Sequence, residues 1–491
     1  MSTVGQHAPV PAVEHAGLVR ANGVGDATSL VTIYIVLLFG IPSNVTINGL
    51  GSLGRPALLW GLVLFAFWML SRLQWRNVDV DRISQPVRIA FVVYLVIVLV
   101  SFSAAMLRGQ PADQISPAMS WIVSLVSSAG VLLVILDGVK TMRDVTRLLR
   151  RIGIGVTLLA VLAFLQVLTA QYLLDFWGSV PGFTLGFGGV AERNGQIRAS
   201  ATATHPLELV TTLNAGLSIC VAAALSRGFR SRGSGGSGFW WWVATAMLAL
   251  VALTGLSRSA MIGFVVAVVA MFPAVPRRHR LSVLAGGVLL VGALIAVVPG
   301  LAGATTRLFT GVAEDGSTLS RTDALARLTE FMSGSPLIGV GSGTFLPRYY
   351  IFDNQWAITA IELGVLGVTA FAAIFATAMW SAWDARRRST SPDVRLAAHA
   401  LAASVLIIGL LFAFFDGLAF PIAGGLLFVL VGLCGAIRTV AVADAGHPVW
   451  GDQLEVFPAP PRAESGRPLA GAEPLDSTSH VVRSTTRRSK R

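Results

Sequence analysis

The chain has 491 residues, of which 54% are hydrophobic and only 13% charged, and its mean hydropathy is +0.71. Soluble globular proteins of this length do not have this composition, so the sequence predicts a membrane protein. The formal charge of +12 raises the possibility of a nucleic-acid partner, which the position of the basic residues has to decide.

Twelve stretches of the chain are apolar enough for membrane spans, each of which needs about 20 residues. They are residues 28–45, 54–73, 88–107, 117–137, 152–174, 205–225, 239–255, 259–276, 281–298, 354–382, 396–416 and 419–437. We therefore expect an all-α polytopic membrane protein with about 12 transmembrane helices. Residues 1–27 would be a cytoplasmic segment with no secretory signal peptide, residues 28–437 the transmembrane domain, and residues 438–491 a disordered cytoplasmic tail.

The basic residues are distributed unevenly between the two sides of these spans. If the N-terminus is cytoplasmic, the inner connections and both terminal segments hold 28 of the 37 Lys and Arg residues, and the outer connections hold nine. Short basic loops resist translocation, so this bias predicts a protein of the cytoplasmic membrane with both termini in the cytoplasm. Because orientation accounts for the charge, we expect no nucleic-acid partner.

Two outer connections, residues 175–204 and 299–353, exceed the usual length of connecting loops, and long ordered loops are usually functional. In the second, residues 320–323 (SRTD) resemble a capping box that opens a helix. The apolar side chains expected on one face of this helix are Leu325, Leu328, Phe331 and Met332. The helix would lie over the spans with Arg321 at its N-terminus.

Three outer arginines, Arg198, Arg258 and Arg321, are candidates for binding a phosphate group. Arg258 lies in a tight hairpin between two apolar spans, where a charged side chain is costly unless it is paired. The planar guanidinium group matches the geometry of phosphate oxygens. The alternative for each arginine is an ion pair with a loop acid or contact with a lipid headgroup.

Three further residues are candidates for acid–base chemistry. His205 precedes a proline at the entrance of a span, where it would be either a general base or a helix cap. Asp353 would either accept a proton from a sugar hydroxyl or cap the next span. Glu362 lies about two turns into that span, where an acid should face a polar cavity or pair with arginine, and Glu208 is a candidate partner for the outer arginines.

Other patterns in the sequence predict little chemistry. The glycine-rich stretch Gly339–Gly343 would either offer backbone N–H groups to a phosphate or form a simple turn. Cys220 and Cys434 both lie inside spans and are expected to be small buried apolar residues rather than disulfide partners. Since no group of residues has the spacing of a metal site, we expect neither a metal nor a cofactor.

Three stretches resemble the O-antigen ligase and O-antigen (Wzy-type) polymerase superfamily. They are residues 254–263 (TGLSRSAMIG), residues 335–345 (SPLIGVGSGTF) preceded by Ser320-Arg321, and residues 353–367 (DNQWAITAIELGVLG). Arg198 followed by His205-Pro206 also fits the earlier outer loop of this family. The resemblance covers roughly the fifth to the tenth span.

This resemblance implies a GT-C-like glycosyltransferase that moves a glycan from a polyprenyl diphosphate carrier to an acceptor on the outer face of the membrane. It implies that Arg198, Arg258 and Arg321 hold the donor diphosphate. The implied partners are the lipid-linked glycan donor, a glycan or lipid acceptor, membrane lipids and other envelope-biosynthesis proteins.

Two questions stay open after this comparison. Many ligases of the family have a His-Asn pair where this chain has Asp353-Asn354, so neither the general base nor the choice between ligase and polymerase is settled. The competing class is a transporter or flippase of lipid-linked oligosaccharide. A transporter should concentrate polar groups near the midplane of the membrane, whereas the outer charges here concentrate at the rim and in the long loop.

Overall fold

The computed structural model describes residues 26–73, 83–186, 191–193, 196–230, 237–255, 257–297, 303 and 316–444. Thirteen α-helices of three turns or more lie in this part of the chain. They are α1 (Ala27–Gly40), α2 (Pro56–Leu73), α3 (Pro86–Leu107), α4 (Ala112–Gly138), α5 (Met142–Thr169), α6 (Pro206–Leu225), α7 (Phe239–Thr254), α8 (Arg258–Met271), α9 (Arg280–Val297), α10 (Gly316–Met332), α11 (Gln355–Arg388), α12 (Pro392–Leu411) and α13 (Pro421–Asp444). The predicted helical membrane protein is confirmed.

A helix lies in each of the twelve predicted spans, and α10 is the helix predicted in the second long loop. Among the described helices, eight are long and apolar enough to cross a membrane, namely α2 to α6 and α11 to α13. The apolar helices α1, α7 and α8 are shorter. These three and α9 therefore stay predictions as membrane spans.

Helix α6 lies at the centre of the bundle, and small and polar side chains allow its neighbours to approach closely. The side-chain amide of Asn214 donates to the carbonyl of Ala260 on α8 at 3.2 Å. The hydroxyl of Ser404 on α12 donates to the carbonyl of Ala215 at 2.8 Å. Since lipid tails are as apolar as leucine, close packing and such interhelical hydrogen bonds stabilise a membrane bundle.

Ion pairs join five helix ends at one end of the bundle, which we call the basic end. Asp137 at the end of α4 binds Arg72 of α2 and Arg88 of α3. Asp384 near the end of α11 binds Arg438 of α13 at 2.9 Å. The basic end is the one that the distribution of charge predicts to be cytoplasmic.

Two short strand pairs lie at the opposite end, which we call the loop end. Strand β1 (Val45–Ile47) pairs antiparallel with β2 (Phe183–Leu185), and β3 (Ala191–Arg193) pairs antiparallel with β4 (Gln196–Arg198). These strands were not predicted, because three residues are too few for a detectable alternation of polar and apolar positions.

Helix α10 differs from the prediction in its start and in its buried face. It begins at Gly316, so residues 320–323 lie inside the helix and Arg321 is not at its N-terminus. The predicted apolar residues Leu328, Phe331 and Met332 do pack together, but Leu325 is exposed and Ala324 is buried in its place. Ala324 precedes Leu328 by four residues and shares its face, whereas Leu325 lies about 100° further round.

The last helix, α13, continues to Asp444, beyond the predicted boundary at residue 437. The remainder of the predicted tail, from residue 445 onward, lies outside the described residues, as do residues 1–25 of the predicted N-terminal segment.

Helix α11 is broken at Gly364, which has φ 66° and ψ −167°. The loop segment of residues 336–345, which we call the inserted segment, pairs with the backbone groups that the break frees. The carbonyl of Glu362 accepts the N–H of Gly341 at 3.0 Å, and the N–H of Val365 donates to the carbonyl of Pro336 at 2.9 Å. Unpaired backbone groups cost several kcal/mol each in a membrane, so the inserted segment stabilises the broken helix.

The same insertion accounts for the glycine-rich stretch. Gly339, Gly341 and Gly343 all have positive φ, at 74°, 126° and 69°. A side chain at Gly339 would overlap the backbone carbonyl of Glu362, and one at Gly343 would lie 2.9 Å from the backbone of Ala118. Of the two interpretations of this stretch, the turn therefore applies, because its glycines permit a close approach to neighbouring helices.

Replacing Gly364 with alanine should lower the stability of the protein strongly. The left-handed conformation alone costs on the order of 1–3 kcal/mol for a residue with a side chain. A Cβ at this position would also overlap the carbonyl of Leu337. The measurement is thermal unfolding in detergent beside Gly286→Ala, a position with open space around it. Equal unfolding temperatures for the two variants would contradict the role assigned to Gly364.

Candidate functional site

The first two predicted arginines are neighbours at the loop end. Arg198 is the last residue of β4, and its side chain is buried, with 8% exposed. Its Nε donates to the carbonyl of Gly255 at 3.1 Å. Gly255 follows α7 directly, and Arg258 begins α8. Strand β4 is therefore fixed against the hairpin that carries Arg258.

His205 caps helix α6. Its Nδ1 accepts the backbone N–H of Leu207 at 3.1 Å. Burial lowers the pKa of His205 below its ordinary value, the positive charge of Arg198 adds to this effect, and the charge of Asp353 opposes it. His205 is thus neutral near pH 7, with its proton on Nε2 because Nδ1 accepts a hydrogen bond. In this tautomer the ring donates from Nε2, so it would have to release the cap before it could act as a base.

Asp353 does not cap helix α11, since Asn354 does. The side-chain oxygen of Asn354 accepts the N–H groups of Trp356 and Ala357 at 2.9 and 3.2 Å. The side chain of Asp353 is exposed, and its charge acts on both His205 and the connection between α12 and α13. The capping alternative for Asp353 was therefore wrong, and its role as a proton acceptor stays a prediction.

Arg321 joins α10 to the connection between α12 and α13. Its Nη2 donates to the carbonyl of Phe414 at 3.1 Å, and its guanidinium lies 5.8 Å from the centre of the Phe414 ring. Its Nε is buried and has no hydrogen-bond partner within the described part of the chain. A buried N–H without a partner is rare in proteins, and a bound anion would satisfy it.

Asp416, which lies in the same connection, was not predicted from the sequence. Burial raises the pKa of Asp416 to about 7, a hydrogen bond from Ala419 opposes this rise, and the charge of Asp353 adds to it. The charge of Asp416 also acts on Glu362. The available signal was a single acid among phenylalanines and glycine at the end of an apolar span, a setting that is costly for a charge.

Glu362 is buried and binds backbone groups of the inserted segment. Its Oε1 accepts the N–H of Phe345 at 3.4 Å, and its carboxylate also accepts the N–H of Gly343. The sequence predicted an arginine partner or a polar cavity for Glu362. In the structure, backbone N–H groups bind its carboxylate instead. This arrangement favours a role in positioning the segment, and its predicted catalytic role stays untested.

Glu208 likewise binds backbone rather than the predicted arginines. Its carboxylate accepts the N–H of Thr204 at 2.8 Å and the N–H of Ile422 in the first turn of α13 at 2.6 Å. The arginine whose charge acts on Glu208 is Arg55, at the start of α2. Burial lowers the pKa of Arg55, and Glu208 opposes this effect. Arg55 is therefore a further positive charge at the loop end, in addition to the three predicted arginines.

These residues lie at the same end of the bundle, and we call them the loop-end site. The site contains Arg198, Arg258, His205, Asp353 and Arg321. Arg198 is bound to the hairpin that carries Arg258, Arg321 is bound to the connection that holds Phe414 and Asp416, and the charge of Asp353 acts on His205 and Asp416. Guanidinium groups can bind an anion and carboxylates can accept a proton, so this set of residues has the chemical groups for both. Within the described residues, no three His, Cys, Asp or Glu side chains are grouped so as to hold a metal ion.

Part of the chain matches a known protein family. The model of the O-antigen ligase family matches residues 243–372, which include Arg258, Arg321 and Asp353 but neither Arg198 nor His205. The resemblance to the O-antigen ligase and polymerase superfamily is thereby confirmed over a minor part of the 491-residue chain. No curated protein matches the chain.

Proposed function

Because residues 243–372 match the O-antigen ligase family, we propose that this membrane protein is a glycosyltransferase of cell-surface polysaccharide biosynthesis. It would transfer or polymerise a polyprenyl-diphosphate-linked glycan at the outer face of the cytoplasmic membrane, on a GT-C-like fold. The observation that carries the proposal is the loop-end site: Arg198 is bound to Gly255 in the hairpin that carries Arg258, and Arg321 is bound to the connection that holds Asp416, whose charge interacts with that of Asp353.

The proposed reaction breaks the bond between the anomeric carbon of the donor sugar and the diphosphate. The oxygen of an acceptor hydroxyl forms the new bond to that carbon, and the polyprenyl diphosphate leaves with the electron pair of the broken bond. Arg198, Arg258 and Arg321 would bind the diphosphate and stabilise the charge that develops on it. Asp353 would accept the proton of the hydroxyl, with Asp416 as its neighbour.

The acceptor decides between the two activities of the superfamily. A second glycan chain as acceptor would make the protein a polymerase, and a lipid as acceptor would make it a ligase. The other partners in this proposal are the surrounding membrane lipids and further proteins of envelope biosynthesis.

A transporter or flippase of lipid-linked oligosaccharide is the second candidate. The break in α11 at Gly364 favours it, since transporters use broken helices near the midplane to bind their substrates. Here the inserted segment accepts or donates hydrogen bonds at the break, for example between Gly341 and Glu362, which leaves those backbone groups unavailable to a substrate. The loop-end site therefore supports transfer better than the break supports transport.

The proposed orientation predicts the result of labelling with a membrane-impermeant thiol reagent. Ser333→Cys, exposed just after α10 at the loop end, should be labelled in intact cells, and Thr390→Cys, exposed at the basic end, only after permeabilisation. Background labelling should be low because Cys220 and Cys434 are buried. The reverse pattern would place the loop-end site in the cytoplasm and exclude the proposed orientation.

The pH dependence of transfer tests the two neighbouring carboxylates. Asp416, with its pKa raised to about 7, loses its proton as the pH rises through that value, and its negative charge then favours proton acceptance by the neighbouring Asp353. Transfer should therefore increase through about pH 7. Asp416→Asn removes this titrating carboxyl and should abolish the increase, while Asp323→Asn, which changes an exposed acid on α10, should keep it. An identical profile in all three proteins would remove Asp416 from the proposal.

Deletion of the protein from its source organism tests the proposed function in the cell. A transferase deletion should accumulate the lipid-linked glycan on the outer face of the membrane, where an added glycan-specific lectin or glycosidase reaches it. Accumulation on the inner face alone would favour the flippase.

A further inference from the structure

A second cluster of arginines lies at the basic end, far along the bundle from the loop-end site. Arg150 and Arg151 follow Arg147 on α5 by three and four residues, so both are neighbours of Arg147 on the helix surface. Arg230, which follows α6, is exposed and adds its charge, and Arg150 is within electrostatic range of the other three arginines.

The acids near this cluster do not neutralise it. Arg147 lies 3.9 Å from Asp26 and 3.8 Å from Asp144. Arg151 donates to the carbonyl of Thr28 at 3.2 Å. Within the described part of the chain, Arg150 makes its hydrogen bond to the carbonyl of Thr146 in its own helix, at 3.3 Å, and has no ion pair with an acid.

An apolar stripe continues from these arginines along the same face of α5. Its residues follow Arg150 at steps of three or four, which is the spacing of one helical face. The stripe consists of Ile154, Leu158, Val161, Leu165 and Leu168, which are 52%, 64%, 40%, 43% and 65% exposed. The face therefore offers positive charge at the basic end and apolar surface toward the middle of the helix.

We propose that this face of α5 binds an anionic phospholipid that carries two phosphate groups. The headgroup would lie between Arg147, Arg150, Arg151 and Arg230, and an acyl chain would lie along the stripe that begins at Ile154. Four guanidinium groups beside two carboxylates leave an excess of positive charge that a doubly anionic headgroup balances. The site is independent of the proposed glycan transfer.

The stripe is the reason to infer a lipid rather than a free anion. A soluble phosphate would contact only the arginines, whereas a phospholipid would contact the arginines with its headgroup and the apolar stripe with an acyl chain. Basic pockets between helices at the cytoplasmic side of membranes bind such headgroups in other proteins, and the charge distribution predicts this side for the basic end.

Native mass spectrometry of the purified full-length protein tests the proposal, with cardiolipin as the probe. Phosphatidylglycerol, phosphatidylethanolamine and inorganic diphosphate serve as comparison ligands. The variant Arg150→Gln/Arg230→Gln should bind cardiolipin about 30-fold more weakly, which corresponds to about 1 kcal/mol for each arginine. The matched control Arg143→Gln/Arg387→Gln removes two exposed arginines of the same end and should bind as the original protein does.

Equal weakening in both double variants would overturn the site, as would cardiolipin binding no tighter than phosphatidylethanolamine. Binding of inorganic diphosphate as tight as the binding of cardiolipin would contradict the choice of a lipid. If the double variant cannot be purified, a photo-crosslinking residue at Leu158 tests whether cardiolipin lies along the stripe. It should capture cardiolipin in cells more often than the same residue at the equally exposed Val269 of α8. Equal capture at both positions would also overturn the proposal.

Discussion

Replacing Arg258 with lysine should reduce glycan transfer by about 100-fold or more, which is the usual effect of removing one preorganised donor from a site where charge develops. Lysine keeps the positive charge but loses the planar fork that contacts two phosphate oxygens. Arg258 is the first residue of α8, in the hairpin to which Arg198 is bound through Gly255. Arg258→Lys would thus remove one of two neighbouring arginines from the proposed donor site.

The measurement is transfer of lipid-linked glycan in purified membranes, normalised to the amount of inserted protein. Arg327→Lys is the matched control, because Arg327 is an exposed arginine at the loop end and is paired with Asp323 at 3.2 Å. It should transfer glycan normally. Normal transfer by Arg258→Lys would remove Arg258 from the proposed donor site.

Replacing Asp353 with asparagine should reduce transfer by about 10²–10⁴-fold, the typical contribution of a general base. His205→Gln should have a smaller effect, because the Nδ1 of His205 is used to cap α6 and its proton lies on Nε2. Donor binding should survive in both variants, since it depends on the arginines rather than on the base.

Parallel assays of transfer and donor binding separate these roles. His205→Asn is a useful companion, since asparagine is a good helix cap and should preserve the start of α6. Inactive His205→Asn together with active Asp353→Asn would assign the base to His205. If Asp353→Asn and His205→Gln both transfer normally, neither is the base, and Asp416 becomes the next candidate.

The sequence was most informative where long apolar segments were concerned. Each predicted span contains a helix, because about 20 apolar residues have few alternatives in a membrane. The break at Gly364 was not predicted, because it depends on hydrogen bonds to the distant residues Pro336 and Gly341. The start of α10 was placed too late, because residues 320–323 have a capping sequence inside a helix that begins earlier.

The site was predictable in its residue types and less so in their individual roles. Arg198, Arg258 and Arg321 were predicted as outer arginines, and the cost of a charge beside apolar spans was the argument for Arg258. The structure brings all three to the same end of the bundle, and their binding role stays a prediction. The sequence could not show that Asn354, rather than Asp353, caps α11, since either side chain can do so. Asp416 was not predicted because its importance depends on the interaction of its charge with that of Asp353, which is remote in sequence.

The most direct test of glycan transfer is reconstitution of the purified protein in vesicles with a lipid-linked glycan donor labelled in the sugar. The donor is the lipid extracted from cells that lack the protein, and cell-envelope material from the same cells supplies the acceptor. We predict that the label moves to the acceptor while polyprenyl diphosphate is released in equal amount, and that Arg258→Lys abolishes both. Movement of intact labelled donor across the bilayer, without release of polyprenyl diphosphate, would contradict this account and identify a transporter.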